Sequence, residues 1–221
     1  MHRLTTELAR YSEIPLTREQ LLELAREFVC NDDILLCLRR GLAEGGYLHQ
    51  LGFYKLILAT INGAYRRTIR LHYWNRYDIK DDIHDHIASF ASRVLFGSLQ
   101  NEIYSICPEG EQFVKEKFVA DGHGCMPSER DEVKDTLTLK SREIVEVQST
   151  YFLRYDELHR LTPKSEELIT LVIQDSPLER EINVYRRAAP AYIGSKTAST
   201  LTNEQMSAIC LRMTALLGGA R

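Results

Sequence analysis

Cysteine is scarce in this chain, long apolar runs are missing, and neither sign of charge dominates. The five cysteines, Cys30, Cys37, Cys107, Cys125 and Cys210, are odd in number and lie far apart, with no C-x-x-C pair. A disulfide framework is therefore not expected, and free thiols in a reducing, cytoplasmic setting are. The opening "MHRLTTELARYSEIP" lacks the basic-then-apolar pattern of a secretion signal. No stretch approaches the ~20 apolar residues of a membrane span, so no membrane partner is expected. The net charge is −3 and the pI about 6.2, which leaves no global basic field for nucleic acid. Internal repeats and low-complexity segments are also missing.

What is present falls into three parts. Residues 1–50 read as a helical extension: "TREQLLELAREFVC" carries Leu21, Leu22, Leu24, Phe28 and Val29 at helical spacing, and Thr17 with Gln20 forms a capping box. Residues 51–188 read as β. Candidate strands are "FYKLILATI", "RRTIRLHYW", "SRVLFGS", "NEIYSI", "EQFVKEKFV", "DTLTLK", "EIVEVQSTYFLRY", "ELITLVIQD" and "EINVYRR". Turn signals separate them, among them Asn62-Gly63, Pro108-Glu109-Gly110, the Gly-flanked His123 and Pro163. Many short strands at regular spacing predict a mainly β protein of the jelly-roll type. Residues 189–221 contain "TNEQMSAICLRMTALL", an amphipathic helix capped by Thr202 or Asn203. The terminal helices are expected to cover the barrel or to build a homodimer interface.

The stretch "DDIHDHIASFASRVLF" concentrates the chemistry. The chain has seven histidines, and two of them, His84 and His86, stand one residue apart. Read as part of a strand, they project from one face while Asp85 points away. Two imidazoles side by side are a poor core and a good pair of metal ligands. A third ligand must come from elsewhere, and His159 in "RYDELHRLTP" lies far enough along the chain to close a barrel back onto the pair across its interior. His72 reads instead as a wall or core residue. Asp81, Asp82 or a backbone carbonyl is placed to set the imidazole tautomers. Three neutral nitrogens leave an ion positive, with open positions, which is a catalytic pattern more than a closed structural one.

Two further groups are set by alternation. Glu102 and Tyr104 share one strand face; pointing inward they serve as base and hydrogen-bond donor, pointing outward they are a surface pair. Arg70, His72 and Trp74 share a face opposite Ile69, Leu71 and Tyr73. If the polar set is inside, Arg70 is a carboxylate clamp; if the apolar set is inside, it is a surface residue.

"IHDHIASFASRVLFGSLQNEIY" and "LHRLTPKSEELITLVIQ", with "GFYKLILATINGAYRRTIRLHYW" as a weaker match, resemble the cupin superfamily and, within it, the cysteine dioxygenase (thiol dioxygenase) branch. The resemblance covers roughly residues 50–175. It implies a jelly-roll barrel holding a mononuclear Fe(II) on His84, His86 and His159. It also implies Lys55 at the position where that branch carries a substrate-gripping Arg. The branch's cross-linking Cys and Tyr fall on Ala91 and Gln174, and its outer His on Val172, so the cross-link cannot form here. The expected function is an Fe(II) oxygenase that combines O2 with a small amino-acid-like, thiol or amine substrate. In it Lys55, Arg70 and Trp74 bind substrate, and Glu102 and Tyr104 assist. Zn(II) or another divalent ion in a non-redox isomerisation, rearrangement or elimination is the alternative, and a non-catalytic, small-molecule-binding cupin is the second.

Overall fold

The computed structural model describes residues 6, 9–27, 31–41, 43–49, 52–75, 82–120, 124–187, 196–197 and 199–219. Phe28, Val29, Cys30, Asp81 and His123 lie outside the described residues. Three helices are present among those described: α1 (Arg18–Glu27), α2 (Asn31–Arg39) and α3 (Asn203–Gly219). The strands are β1 (Gly45–Leu48), β2 (Tyr54–Ile61), β3 (Arg67–Trp74), β4 (Ile83–His84), β5 (Phe90–Phe96), β6 (Leu99–Ala120) and β7 (Gly124–Val145). They continue with β8 (Thr150–Leu153), β9 (Leu158–Pro163), β10 (Leu168–Gln174), β11 (Ile182–Arg186), β12 (Lys196–Thr197) and β13 (Ser199–Thr200). No helix among the described residues is long and apolar enough to cross a membrane.

The strands form two antiparallel sheets, in the orders β13-β1-β2-β3-β10-β5-β8 and β11-β4-β9-β6-β7-β12. Within them β6 pairs with β7, β5 with β8, β4 with β9 and β3 with β10. That nesting is one long hairpin wound over on itself, with successive strands passing between the sheets. It is a jelly roll. The added strand β11 pairs with both β4 and the far half of β6. The ends of the chain are less purely helical than expected. β1 and β13 join the first sheet through Tyr47 opposite Thr200, and β12 pairs with β7.

Helix starts follow the sequence. Thr17 Oγ1 accepts from the Gln20 amide at 3.2 Å while Gln20 Oε1 accepts from the Thr17 amide at 2.9 Å. Thr202 and Gln205 repeat this box before α3, which makes Thr202 the cap. The three helices bring Leu21, Leu24, Ile34, Leu38, Met213 and Leu217 against Ile69, Leu71, Ile169, Leu171 and Ile173 of the first sheet. Each fully buried side chain of this kind contributes about 1.5–3 kcal/mol. The helices thus claim the apolar face of β3, and parity turns Arg70, His72 and Trp74 toward the barrel interior. Val172 and Phe90 lie on that inner face and join Trp74, Phe53, Leu99 and Leu153 in the barrel core.

Several strand boundaries differ from expectation: "DTLTLK" and the first residues of "EIVEVQSTYFLRY" belong to β7, and the rest of that run, after a turn, is β8. "NEIYSI" and "EQFVKEKFV" are one strand, β6, because Pro108-Glu109-Gly110 bulges out of the ladder instead of turning. Ile106 and Glu111 both stand opposite Leu137. A Cβ at Gly110 would lie 2.4 Å from the Leu137 carbonyl oxygen, so glycine permits the approach. "LHRLTP", which has little apolar alternation and ends in Pro163, is strand β9; proline is tolerated there at the strand's end.

Candidate metal centre

His84 ends the two-residue strand β4, His86 lies beyond it in the link to β5, and His159 is the second residue of β9. The pair therefore does not sit on one strand face, and His159 does not reach it from across the barrel. Nesting makes β4 and β9 neighbours in one sheet, with His84 directly opposite His159. The turn after β4 then brings His86 beside both. Ring centroids are 4.7 Å apart for His84–His86, 4.7 Å for His84–His159 and 4.9 Å for His86–His159. One ring nitrogen from each lies within 4.8 Å of the others. His86 Nε2 and His159 Nε2 face each other at 2.7 Å, near the ~3 Å that two imidazole ligands at ~2.1 Å subtend on one ion.

Two of the three rings are held from behind, while His159 Nδ1 is buried without a partner among the described residues. His84 Nδ1 lies 2.8 Å from the Asp82 carbonyl oxygen; only an N–H makes that contact, so His84 Nε2 is left as the lone-pair donor. Phe90 packs edge-on against His86 at 5.0 Å. Asp85 does point away from the cluster, and it is nearly inaccessible, at 2% exposure. Burial, and then the neighbouring imidazoles, hold His86 well below the ordinary histidine value, and burial and then His84 do the same for His159. Neutral imidazole is the ligating form. Three neutral nitrogens with no carboxylate in the set fit a divalent ion of borderline softness, iron or zinc, better than calcium or magnesium.

The interior beside the cluster is polar on the first sheet. Tyr47 stands opposite Lys55, Lys55 opposite His72, and Arg70 opposite Val172. Lys55, Arg70 and His72 are half-buried. Burial is the main cause that lowers the Arg70 and His72 values, with Lys55 and Arg70 adding to the effect on His72. The His72 Nε2, Ser92 Oγ and Thr170 Oγ1 atoms are buried without a protein partner, and they project from β3, β5 and β10 on the same inner face. Trp74 also faces inward, stacked on Phe53 at 4.5 Å, so it serves as wall. The apolar-inside alternative for β3 is thereby excluded.

Glu102 and Tyr104 are a correction. Ile103 pairs with His159 and points with it to the interior, so its neighbours point out. Glu102 accepts from Arg160 Nε at 2.7 Å, Arg142 Nε at 2.8 Å and the Tyr104 hydroxyl at 3.1 Å. Burial pushes this carboxyl up, but the bonds from Arg160 and Arg142 outweigh it and hold it below the usual carboxylate range. It is the hub of an ion-pair network on the outer face and does not face the imidazoles.

Sequence reasoning passed over His49. It follows β1 on the face of Tyr47, with its ring 4.6 Å from Phe53. Burial, then Lys55, His72, His84 and Arg70, drive its value well down. The available signal was the alternation Tyr47-Leu48-His49, hidden inside what reads as a helix-to-sheet link.

No protein-family model matches the chain, and no curated protein matches it. Solved structures similar to it include DMSP lyases, at 13% identity and a TM-score of 0.34. That match covers 59% of this chain and 51% of the other, so the chain spans about half the length of that relative. The cupin domain of CENP-C from Drosophila melanogaster is similar at 12% identity and a TM-score of 0.38, over 66% and 96%. An oxalate oxidase follows at 11% and 0.34, over 70% and 65%. Likenesses at this level bear on no residue and no reaction. Strand nesting and the three imidazoles define the class themselves: a jelly roll with a three-histidine cluster.

Proposed function

We propose that the chain is a cupin metalloenzyme. In this reading a divalent ion sits on His84, His86 and His159, and the reaction is an Fe(II)-dependent oxygenation of a small anionic amino-acid-like or thiol/amine substrate by O2. The carrying observation is the convergence of three imidazole nitrogens within 4.8 Å with no acid in the set. Iron is taken from the resemblance of "IHDHIASF" and "LHRLTP" to thiol dioxygenases. Bound there, it supplies one-electron chemistry and open coordination positions.

The chain's own residues do the rest. The planar fork of Arg70 and the ammonium of Lys55 attract and orient an anionic end. Phe53, Phe90 and Trp74 keep the neighbouring space apolar and exclude water. His49 and His72, kept neutral by burial, offer hydrogen bonds to a bound substrate without adding charge, His72 through its unpartnered Nε2. Glu102 and Tyr104 take no part, because they lie on the outer face.

A second reading, Zn(II) in a non-redox isomerisation or elimination, is favoured by one observation. Ala91, where the related branch carries its cross-linking cysteine, packs into the helix-side core, and among the described residues no cysteine joins the three histidines. Elemental analysis of anaerobically prepared wild type beside His86→Ala and His159→Ala separates the readings. Near-stoichiometric iron, lost in both variants, supports the oxygenase and leads to oxygen-uptake assays with small thiols and amines. Zinc lost the same way selects the second reading. Wild type that holds no metal after reconstitution with either ion sinks both.

A further inference from the structure

His86 is the most precariously placed of the three imidazoles, because it lies in the irregular link between β4 and β5 and not in a strand. Nearly every turn of that link is nevertheless tied down, mostly by residues 175–183, which follow the jelly roll's last strand. The Asp85 amide donates to the Asn183 carbonyl at 3.1 Å, and the His86 amide to the Tyr155 carbonyl at 2.8 Å. The Leu178 amide donates to the Ile87 carbonyl at 2.7 Å, and the Asp175 amide to the Ser89 carbonyl at 2.9 Å. The Asp85 carboxylate, between the two histidines, accepts from the Asn183 amide at 2.7 Å and from Asn183 Nδ2 at 2.6 Å.

Arg180 joins these ties. Its Nη2 donates to Asp85 Oδ2 at 2.7 Å, while its Nη1 donates both to the His86 carbonyl at 3.0 Å and to the Tyr155 carbonyl at 2.8 Å. The guanidinium also lies over the Tyr155 ring, 5.2 Å from its centroid. One planar group thus fixes the carboxylate before His86, the peptide plane after it, and the turn leading to β9. Fork geometry is what allows this; an ammonium is a point donor and does not span the three oxygens in one plane.

From this arrangement we infer that Arg180 is the positioning residue of the histidine clasp, acting on His86 through Asp85 and the His86 carbonyl without touching the ion. The inference rests on the metal reading above. Its consequence is that the clasp is preorganised by a segment outside the eight nested strands. Removing Arg180 takes the paired cation from a buried carboxylate that keeps its two Asn183 bonds, and one donor from each of two carbonyls, and the cost appears first in the link that carries His86.

The test uses the full chain with Co(II) as the probe, its affinity measured by competition with a chromogenic chelator. Amide hydrogen exchange across residues 83–89 is measured in the metal-free protein. Arg180→Ala and Arg180→Lys are compared with wild type. Both variants are expected to bind Co(II) about 10- to 100-fold more weakly than wild type, with exchange accelerated in 84–89 and unchanged in β3 and β10. Should Arg180→Ala fail to fold, Arg180→Lys carries the test, since it keeps a cation beside Asp85. Folded variants that bind Co(II) within about twofold of wild type, or that exchange no faster in 84–89, overturn the inference alone. Wild type that takes up no Co(II) overturns the metal reading and the inference together.

Discussion

At the scale of single residues the barrel interior is set by what burial does to imidazole. His49, His72, His86 and His159 are all driven well below the ordinary histidine value, burial being the first cause in each. Above about pH 6.5 the folded and unfolded chains both carry these groups neutral, and the stability is fully present. As pH falls below that, the unfolded chain takes up protons while the folded interior refuses them. Stability then drops by about 1.4 kcal/mol per pH unit for each such histidine, until the folded values are reached. His49 and His72 lie outside the cluster, so their share is independent of metal. Chelator-treated protein is therefore expected to melt markedly lower at about pH 5.5 than at about pH 7.5, and His72→Gln to narrow that gap. An equal gap in wild type and variant would show that His72 is not held neutral by the fold.

At the scale of elements, two attachments decide whether the barrel keeps its cover. Arg67, at the start of β3, is fully buried. Its Nε donates to Asp175 at 2.9 Å, Nη2 donates to the Ile14 carbonyl at 2.6 Å, and Nη1 bonds the Tyr11 carbonyl. It pins the segment before α1 to the barrel and, through Asp175, to the base of the strap that carries Arg180. Arg67→Met leaves Asp175 and two carbonyls without their donor, and is expected to cost about 3–5 kcal/mol in urea unfolding. A loss below about 1 kcal/mol would mean that water replaces the guanidinium. The link from β5 to β6 depends on Gly97. Its φ is +76°, and a Cβ there would lie 2.4 Å from the Glu167 carbonyl oxygen. Both the backbone region and the space require glycine where the chain leaves one sheet for the other.

For the molecule as a whole, the clasp joins β4 and β9 with the link to β5, elements separated by about seventy residues of chain that close only on folding. An ion that binds this native arrangement and not the unfolded chain stabilises it by mass action, about 2.7 kcal/mol at a hundredfold excess over Kd. Loading with Fe(II) under anaerobic conditions, or with Zn(II), is expected to raise the melting temperature by several degrees, and chelator to reverse it. His159→Ala is expected to melt at one temperature with or without metal. A wild-type melt indifferent to either ion would count against the clasp as a metal site.

The class of fold and the three members of the cluster are legible in the residues alone. Short β-branched runs and their turn signals give the strands, Thr17 and Thr202 announce helix starts, and a His-x-His pair with one late histidine announces the three imidazoles. These are local signals, carried by propensity and spacing. How the pieces face depends on packing between distant segments. Whether Arg70 or Leu71 lines the barrel is a matter of parity, and parity depends on which face of β3 the helices cover. The same rule turned Glu102 outward once Ile103 was committed beside His159. Strand β9 was hidden because its pairing with β4 and β6, and not its own composition, makes it a strand. Arg180 was illegible for a related reason: the segment around it has no pattern of its own, and its partners at Asp85, His86 and Tyr155 become neighbours only when the nested hairpin closes.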